Sequence, residues 1–262
     1  MIRCERIKGC LSVEAQGVVI RDVAIACTSG KTGEAANGTG VIKIQDGASA
    51  RIVNVAINGM KGVHACIWHQ GTKMYAQAVN CSGANDGIWS WADATYSNTT
   101  GNHFTIRDSY FHDFTDRTSN GHIDGYQTTG AAYGLIAHNT YLMTSDTGGN
   151  LSDSAIAIWD GTRTSHNIVV RRNLIAGGGF SIYAEDYSPS ETSPAGGNKV
   201  TDIRFIGNLF STHLFGCVGN FGVWFPRGGP PSDGWHRRGN RILETGASVD
   251  GGNPTYQGHL CT

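Results

Sequence analysis

One short phrase recurs along this chain: a β-branched or aromatic residue, one or two polar positions, Asp or Asn, then another apolar residue. It reads Ile20-Arg21-Asp22-Val23, Ile52-Val53-Asn54-Val55, Ile106-Arg107-Asp108-Ser109-Tyr110, Ile136-Ala137-His138-Asn139-Thr140-Tyr141, Val170-Arg171-Arg172-Asn173-Leu174 and Phe205-Ile206-Gly207-Asn208-Leu209. The anchors stand 32, 54, 30, 34 and 35 residues apart, and the long interval has room for a degenerate copy at Met74 to Cys81. Phrases repeated at this spacing mark a stacked fold, in which each unit buries its apolar face only against its neighbours.

A second family of short strands lies between the copies, among them Val41-Ile42-Lys43-Ile44-Gln45, Gly87-Ile88-Trp89-Ser90-Trp91, Gly125-Tyr126-Gln127-Thr128, Ala155-Ile156-Ala157-Ile158-Trp159, Phe180-Ser181-Ile182-Tyr183 and Phe221-Gly222-Val223-Trp224-Phe225. With 37 Gly, 6 Pro and no window of sustained helical period, the chain is expected to be all-β. Each rung is expected to hold two or three strands. The central Asp or Asn suits a left-handed turn, and stacked amides there can ladder from rung to rung.

These phrases, with long polar turns at 28–40, 97–102, 144–153 and 188–199, resemble the right-handed parallel β-helix proteins of the pectate-lyase-like superfamily. The resemblance implies one β-helix domain over residues 1–262, with about seven or eight coils, an N-terminal cap near 1–17 and a C-terminal cap or tail near 227–262. It implies no single reaction, because that superfamily holds lyases, hydrolases, epimerases, tailspikes and adhesins. His122-Ile123-Asp124-Gly125-Tyr126-Gln127 followed by Gly178-Gly179-Phe180-Ser181-Ile182-Tyr183 also resembles secreted bacterial β-helix proteins of undefined activity. The Asn-Thr-Asp, Asp-Pro-His and Trp-Ile-Asp-His signatures of better-defined β-helix enzymes are missing.

A net charge of -1 removes the electrostatic footprint of a nucleic-acid binder. The compact basic cluster His236-Arg237-Arg238 with Arg241 reads as a solvated patch. No apolar run is long enough for a membrane-spanning helix. The Cys groups 4/10/27, 66/81 and 217/261 read as local disulfide staples, which makes secretion the preferred reading, with reduced thiols buried in the core as the alternative. Met1 is followed by no signal peptide, which reads as a truncated start. A monomer is expected.

Alternation along the second strand family sends Ile42, Ile88, Ile156, Ile182, Val223 and Phe225 inward, and their neighbours outward. The outward set is then Trp68, Trp89, Trp91, Gln127, Trp159, Tyr183 and Trp224. Aromatic faces stack on sugar rings, so this strip, with Tyr126, is the candidate polysaccharide-binding surface; the competing reading has large turns folded over it.

Beside it stand His122, Asp124, Gln127, Asp153 and Glu185 as candidate catalytic residues. Asp86-Gly87 matches Asp124-Gly125 in form, so Asp86, Asp124 and Asp153 are expected at equivalent strand starts, about 5–10 Å apart. At that separation they suit glycoside hydrolysis, or hold Ca²⁺ as a cofactor that neutralises a uronate. Polysaccharide cleavage by β-elimination, with a base such as His122, is the preferred reading; inverting hydrolysis by paired carboxylates and a non-catalytic glycan-binding module are the alternatives.

Overall fold

The computed structural model describes residues 1–29, 38–60, 62–91, 103–115, 122–144, 152–184, 198–225 and 231–261, with no helix among them. The chain opens with β1 (Ile2–Arg3), β2 (Arg6–Lys8) and β3 (Leu11–Val13). Long and short strands then alternate: β4 (Val18–Cys27) and β5 (Gly40–Ile44), β6 (Ser49–Gly59) and β7 (Ala65–His69), β8 (Lys73–Ser82) and β9 (Asp86–Ser90).

From there the long strand splits in two. The triplets are β10 (His103–Arg107), β11 (Tyr110–Phe111) and β12 (Asp124–Thr128), then β13 (Ala132–Ala137), β14 (Thr140–Met143) and β15 (Ser154–Ile158). They continue as β16 (Ser165–Arg171), β17 (Leu174–Gly177) and β18 (Phe180–Ala184), then β19 (Val200–Ile206), β20 (Leu209–Phe210) and β21 (Gly222–Trp224). After β22 (His236–Arg238) and β23 (Arg241–Ile242), the chain ends in an antiparallel pair, β24 (Thr255–Tyr256) and β25 (His259–Leu260).

Strands β3, β5, β7, β9, β12, β15, β18 and β21 form one eight-stranded parallel sheet, each pairing with its counterpart a rung away. The recurring phrase lies in a fifteen-stranded parallel sheet. The two sheets curl around one buried apolar cluster running from Val13 to Val249, an arrangement of the solenoid kind. Ala76 pairs with both Ile52 and Ile106, so the degenerate copy at Met74 to Cys81 is a full member of the stack.

The bend in each phrase is made by one residue with positive φ. Asp22, Asn54, Ala78, Asp108, His138, Arg172, Gly207 and Gly239 occupy this place on successive rungs, with φ between 51° and 73°. The next residue points inward. On early rungs it is Val23, Val55 and Val79; then comes Ser109, and then Asn139, Asn173, Asn208 and Asn240, all buried.

The four amides form a ladder. Asn139 Nδ2 donates to Asn173 Oδ1 (3.0 Å), Asn173 Nδ2 to Asn208 Oδ1 (2.9 Å) and Asn208 Nδ2 to Asn240 Oδ1 (2.9 Å). Asn240 Nδ2 ends the run on Asp250 Oδ1 at 2.7 Å. The phrase's Asp and Asn thus serve two rows, the bend itself on early rungs and the ladder on later ones.

Facing rows match in size. Cys66 of β7 is disulfide-bonded to Cys81 of β8. On the next rungs the corresponding pairs are Gly87 with Phe111 and Gly125 with Tyr141, where a Cβ on the glycine would stand 2.9 and 2.5 Å from the ring. Phe111 and Tyr141 stack at 4.8 Å, so bulk lost at the glycines returns as aromatic packing. Each such fully buried side chain contributes about 1.5–3 kcal/mol.

Cys10–Cys27 and Cys217–Cys261 complete three disulfides, leaving Cys4 free and exposed. The pairing is consistent with an extracellular protein. No helix among the described residues is long and apolar enough to cross a membrane.

Candidate functional site

The outer face of the eight-stranded sheet carries the polar and aromatic residues of interest, and strand pairing fixes their rows. Lys43, Trp68, Trp89, Gln127, Ala157 and Tyr183 form one outward row. Phe225 extends it, because its N–H donates to the Ile182 carbonyl and its ring stacks on Tyr183 at 4.5 Å.

This register corrects the expected placement of β21 by one residue. Trp224 pairs with inward-facing Ile182, is 2% exposed, and packs among Phe205, Phe210 and Trp235. It is therefore a core residue, and Phe225 takes the outward place. In Gly222-Val223-Trp224-Phe225 nearly every position is apolar, so alternation in the sequence carries no phase. His236, Arg238 and Arg241 are exposed, as a solvated patch requires, while Arg237 lies over Trp224 and Trp235 at 5.0 and 5.1 Å and closes the core.

Tyr126 is likewise internal. It pairs with Ile88 and Ile156, is fully buried, and stacks on Phe104 at 5.2 Å, so it cannot meet a polymer on the outer face. Burial drives its phenol well above the ordinary range. Trp68 is also buried, beneath Gly38 and against Trp89 (4.7 Å) and Trp91 (5.6 Å). The surface left half-exposed comprises Trp89 and Trp91 on one side and Trp159, Tyr183 and Phe225 on the other. Between these groups Gln127 and Ala157 are buried.

The carboxylates occupy two positions, not one. Asp86 and Asp124 share a row, and Asp124 pairs with Ser154 on the next rung; Asp153 stands one residue earlier. Asp124 is fully buried: its main-chain N–H donates to Asp86 Oδ1 at 2.9 Å, and its Oδ1 accepts a hydrogen bond from Ser154 Oγ. Desolvation, reinforced by the charges of Asp86 and Asp153, raises the Asp124 carboxyl well above the ordinary carboxylate range.

Asp86, also buried, accepts from Asn85 Nδ2 at 3.0 Å and faces His64 Nε2 at 2.9 Å. His64 in turn packs edge-on to Trp89 at 4.4 Å. Asn85 Nδ2 also donates to the His122 carbonyl, joining the buried acids to the surface.

His122 and Asp153 are exposed. His122 Nδ1 lies 3.3 Å from Asp153 Oδ2, with side chains 64% and 38% exposed. Asp153 Oδ2 also accepts from the Ile123 main-chain N–H at 3.2 Å. The His122 ring meets the edge of Trp159 at 6.2 Å, and Trp159 meets Tyr183 at 6.2 Å. An imidazole held by a carboxylate through one nitrogen presents the other as a base.

Among the described residues no three or more His, Cys, Asp or Glu are grouped to hold a metal ion. Asp86 is committed to Asn85, Asp124 and His64, Asp124 to Ser154, and Asp153 to His122 one residue out of phase. Glu185 lies outside the described residues. His64, Asn85 and Ser154 are participants that inspection of the sequence misses; aligning the second strand family by rung puts His64 beside Asn85, and that alignment is the signal.

Comparison with protein-family models, curated proteins and solved structures finds no match.

Proposed function

We propose that this chain is a secreted right-handed β-helix protein that binds a polysaccharide along the outer face of its eight-stranded sheet and cleaves it by β-elimination. The observation that carries this reading is the exposed His122–Asp153 pair at the edge of Trp159 and beside the half-exposed Tyr183.

Asp153 holds the Nδ1 side of the ring, so Nε2 takes the C5 proton of a uronic acid unit. The C5–H electron pair becomes the C4=C5 double bond, the C4–O bond breaks, and the departing oxygen takes a proton from water or a nearby phenol such as Tyr183. Trp159, Tyr183 and Phe225 give apolar faces on which neighbouring sugar rings rest. Asp124 and Asp86, buried beneath this surface, act as positioning residues: the chain Asp124, Asp86, Asn85 fixes the main chain at His122.

A non-catalytic glycan-binding module is supported by the same aromatic surface, and one experiment separates the two. The protein is incubated with a panel of uronic and neutral polysaccharides, and ultraviolet absorbance of unsaturated ends is read beside total reducing ends. Elimination gives both signals on a uronic substrate, and His122→Ala loses at least about 100-fold of the rate, the scale of one general base. Reducing ends without absorbance refute elimination in favour of hydrolysis. Binding without any product supports the module.

A further inference from the structure

A recess lies on the other sheet, on the outer face of its first rungs. Register puts Arg6, Ala24, Ala56 and Asn80 in one outward row, and Lys8, Ala26, Asn58 and Ser82 in the next. Alanines fill the middle of the first row and Ala26 stands beside Asn58 in the second, while Arg6 and Lys8 close one end. The floor is therefore lower than its charged end, and the open recess above it has a volume of about 390 Å³. Pockets of about 300–1,000 Å³ are the ordinary size for small-molecule sites.

The walls differ in chemistry. At one end Arg6 and Lys8 are exposed and have no acidic partner among the described residues. At the other, His112 is fixed on three sides: Nδ1 lies 2.6 Å from Asp113 Oδ2, Nε2 2.7 Å from Asn80 Oδ1, and Tyr110 stacks on the ring at 4.0 Å. The contact with the His112 ring fixes the Asn80 amide at this edge of the groove. Lys8 and His112 are four strand spacings apart, about 19 Å between main chains, which leaves room for two sugar rings between the side chains.

We propose that this groove binds a short acidic saccharide. Its carboxylate meets Arg6 and Lys8, its hydroxyls meet Asn58, Asn80 and Ser82, and the apolar face of a ring rests on Ala24 and Ala56. A neutral saccharide forgoes the charged wall, and a purely apolar ligand leaves the three polar side chains without partners. The proposal stands apart from proton abstraction at His122 and requires no turnover.

Isothermal titration of the full chain with digalacturonate, and with lactose as the neutral comparison, tests it. Saturable binding of digalacturonate is expected, at least tenfold tighter than lactose, weakened tenfold or more by Lys8→Glu and abolished by Ala56→Tyr, which fills the floor. Both substitutions are at exposed positions, and far-ultraviolet circular dichroism checks that the fold is kept. His122→Ala is expected to leave this binding unchanged. Absence of saturable binding, equal affinity for lactose, or loss of binding in His122→Ala but not in Lys8→Glu overturns the proposal. Binding in the groove by a protein that cleaves nothing would overturn only the elimination reading.

Discussion

Replacing Asn173 by Ala cuts the amide ladder at its middle. The side chain accepts from the Asn139 main-chain N–H (2.9 Å) and Nδ2 (3.0 Å), and donates to the Ile136 carbonyl (3.1 Å) and Asn208 Oδ1 (2.9 Å). Four hydrogen bonds at about 1 kcal/mol net each amount to ~4 kcal/mol. The Asn139 N–H, still buried, then has no acceptor and adds a further cost of about 1–3 kcal/mol. Asn173→Val fills the volume, as Val23, Val55 and Val79 do in the same row, but restores none of the bonds; its loss should come close to that of Ala. Urea unfolding with disulfides intact, followed by tryptophan fluorescence, gives the global change. Amide hydrogen exchange at Asn139 gives the local one, which matters because stacked rungs need not unfold together. If Asn173→Val lies within about 1 kcal/mol of wild type and Asn139 stays protected, the ladder is not what stabilises this row.

Three other outcomes are expected. His69 is fully buried and its imidazole is pushed down to about 3 by desolvation, so the unfolded chain binds a proton that the fold refuses. Stability is full above about pH 6.5 and falls by up to ~1.4 kcal/mol per pH unit between there and pH 3; His69→Gln should flatten the low-pH limb of a stability–pH curve. For Asp124, whose carboxyl is raised, the sign is opposite: stability is full below the unfolded value of about 3.9 and declines as pH rises, so Asp124→Asn should gain on wild type from pH 4 to 7 in paired urea melts. Gly125→Ala places a methyl 2.5 Å from the Tyr141 ring and 2.6 Å from the Ala155 carbonyl, and should cost about 1–3 kcal/mol by thermal melting, with part returned by Tyr141→Leu.

The period, the parallel stacking and the inward Ile positions are legible in the sequence, because β-branched residues at fixed spacing have one efficient burial. The ladder is half legible: Asp108 and Asn139 look alike within the phrase, yet one makes the bend and the other the row behind it, a one-residue offset that only pairing reveals. The phase of β21 is hidden because Val223, Trp224 and Phe225 are all apolar. The offset of Asp153 from Asp124 is hidden because the turn before each strand varies in length. His64 escapes because its partner Asp86 is a rung away in space and no motif in the sequence around His64 links the two.

The bend between paired strands never changes length. It is residues 108–109, 138–139, 172–173, 207–208 and 239–240 between β10 and β11, β13 and β14, β16 and β17, β19 and β20, and β22 and β23. The connections leading into and out of the eight-stranded sheet range instead from residues 178–179 before β18 to residues 185–199 after it. One corner of the solenoid is therefore closed to insertion, since an extra residue there would throw every later amide out of line. Differences in connection length within this chain therefore gather at the rims of the face that carries His122 and Trp159, while the fixed bend keeps the stack in step.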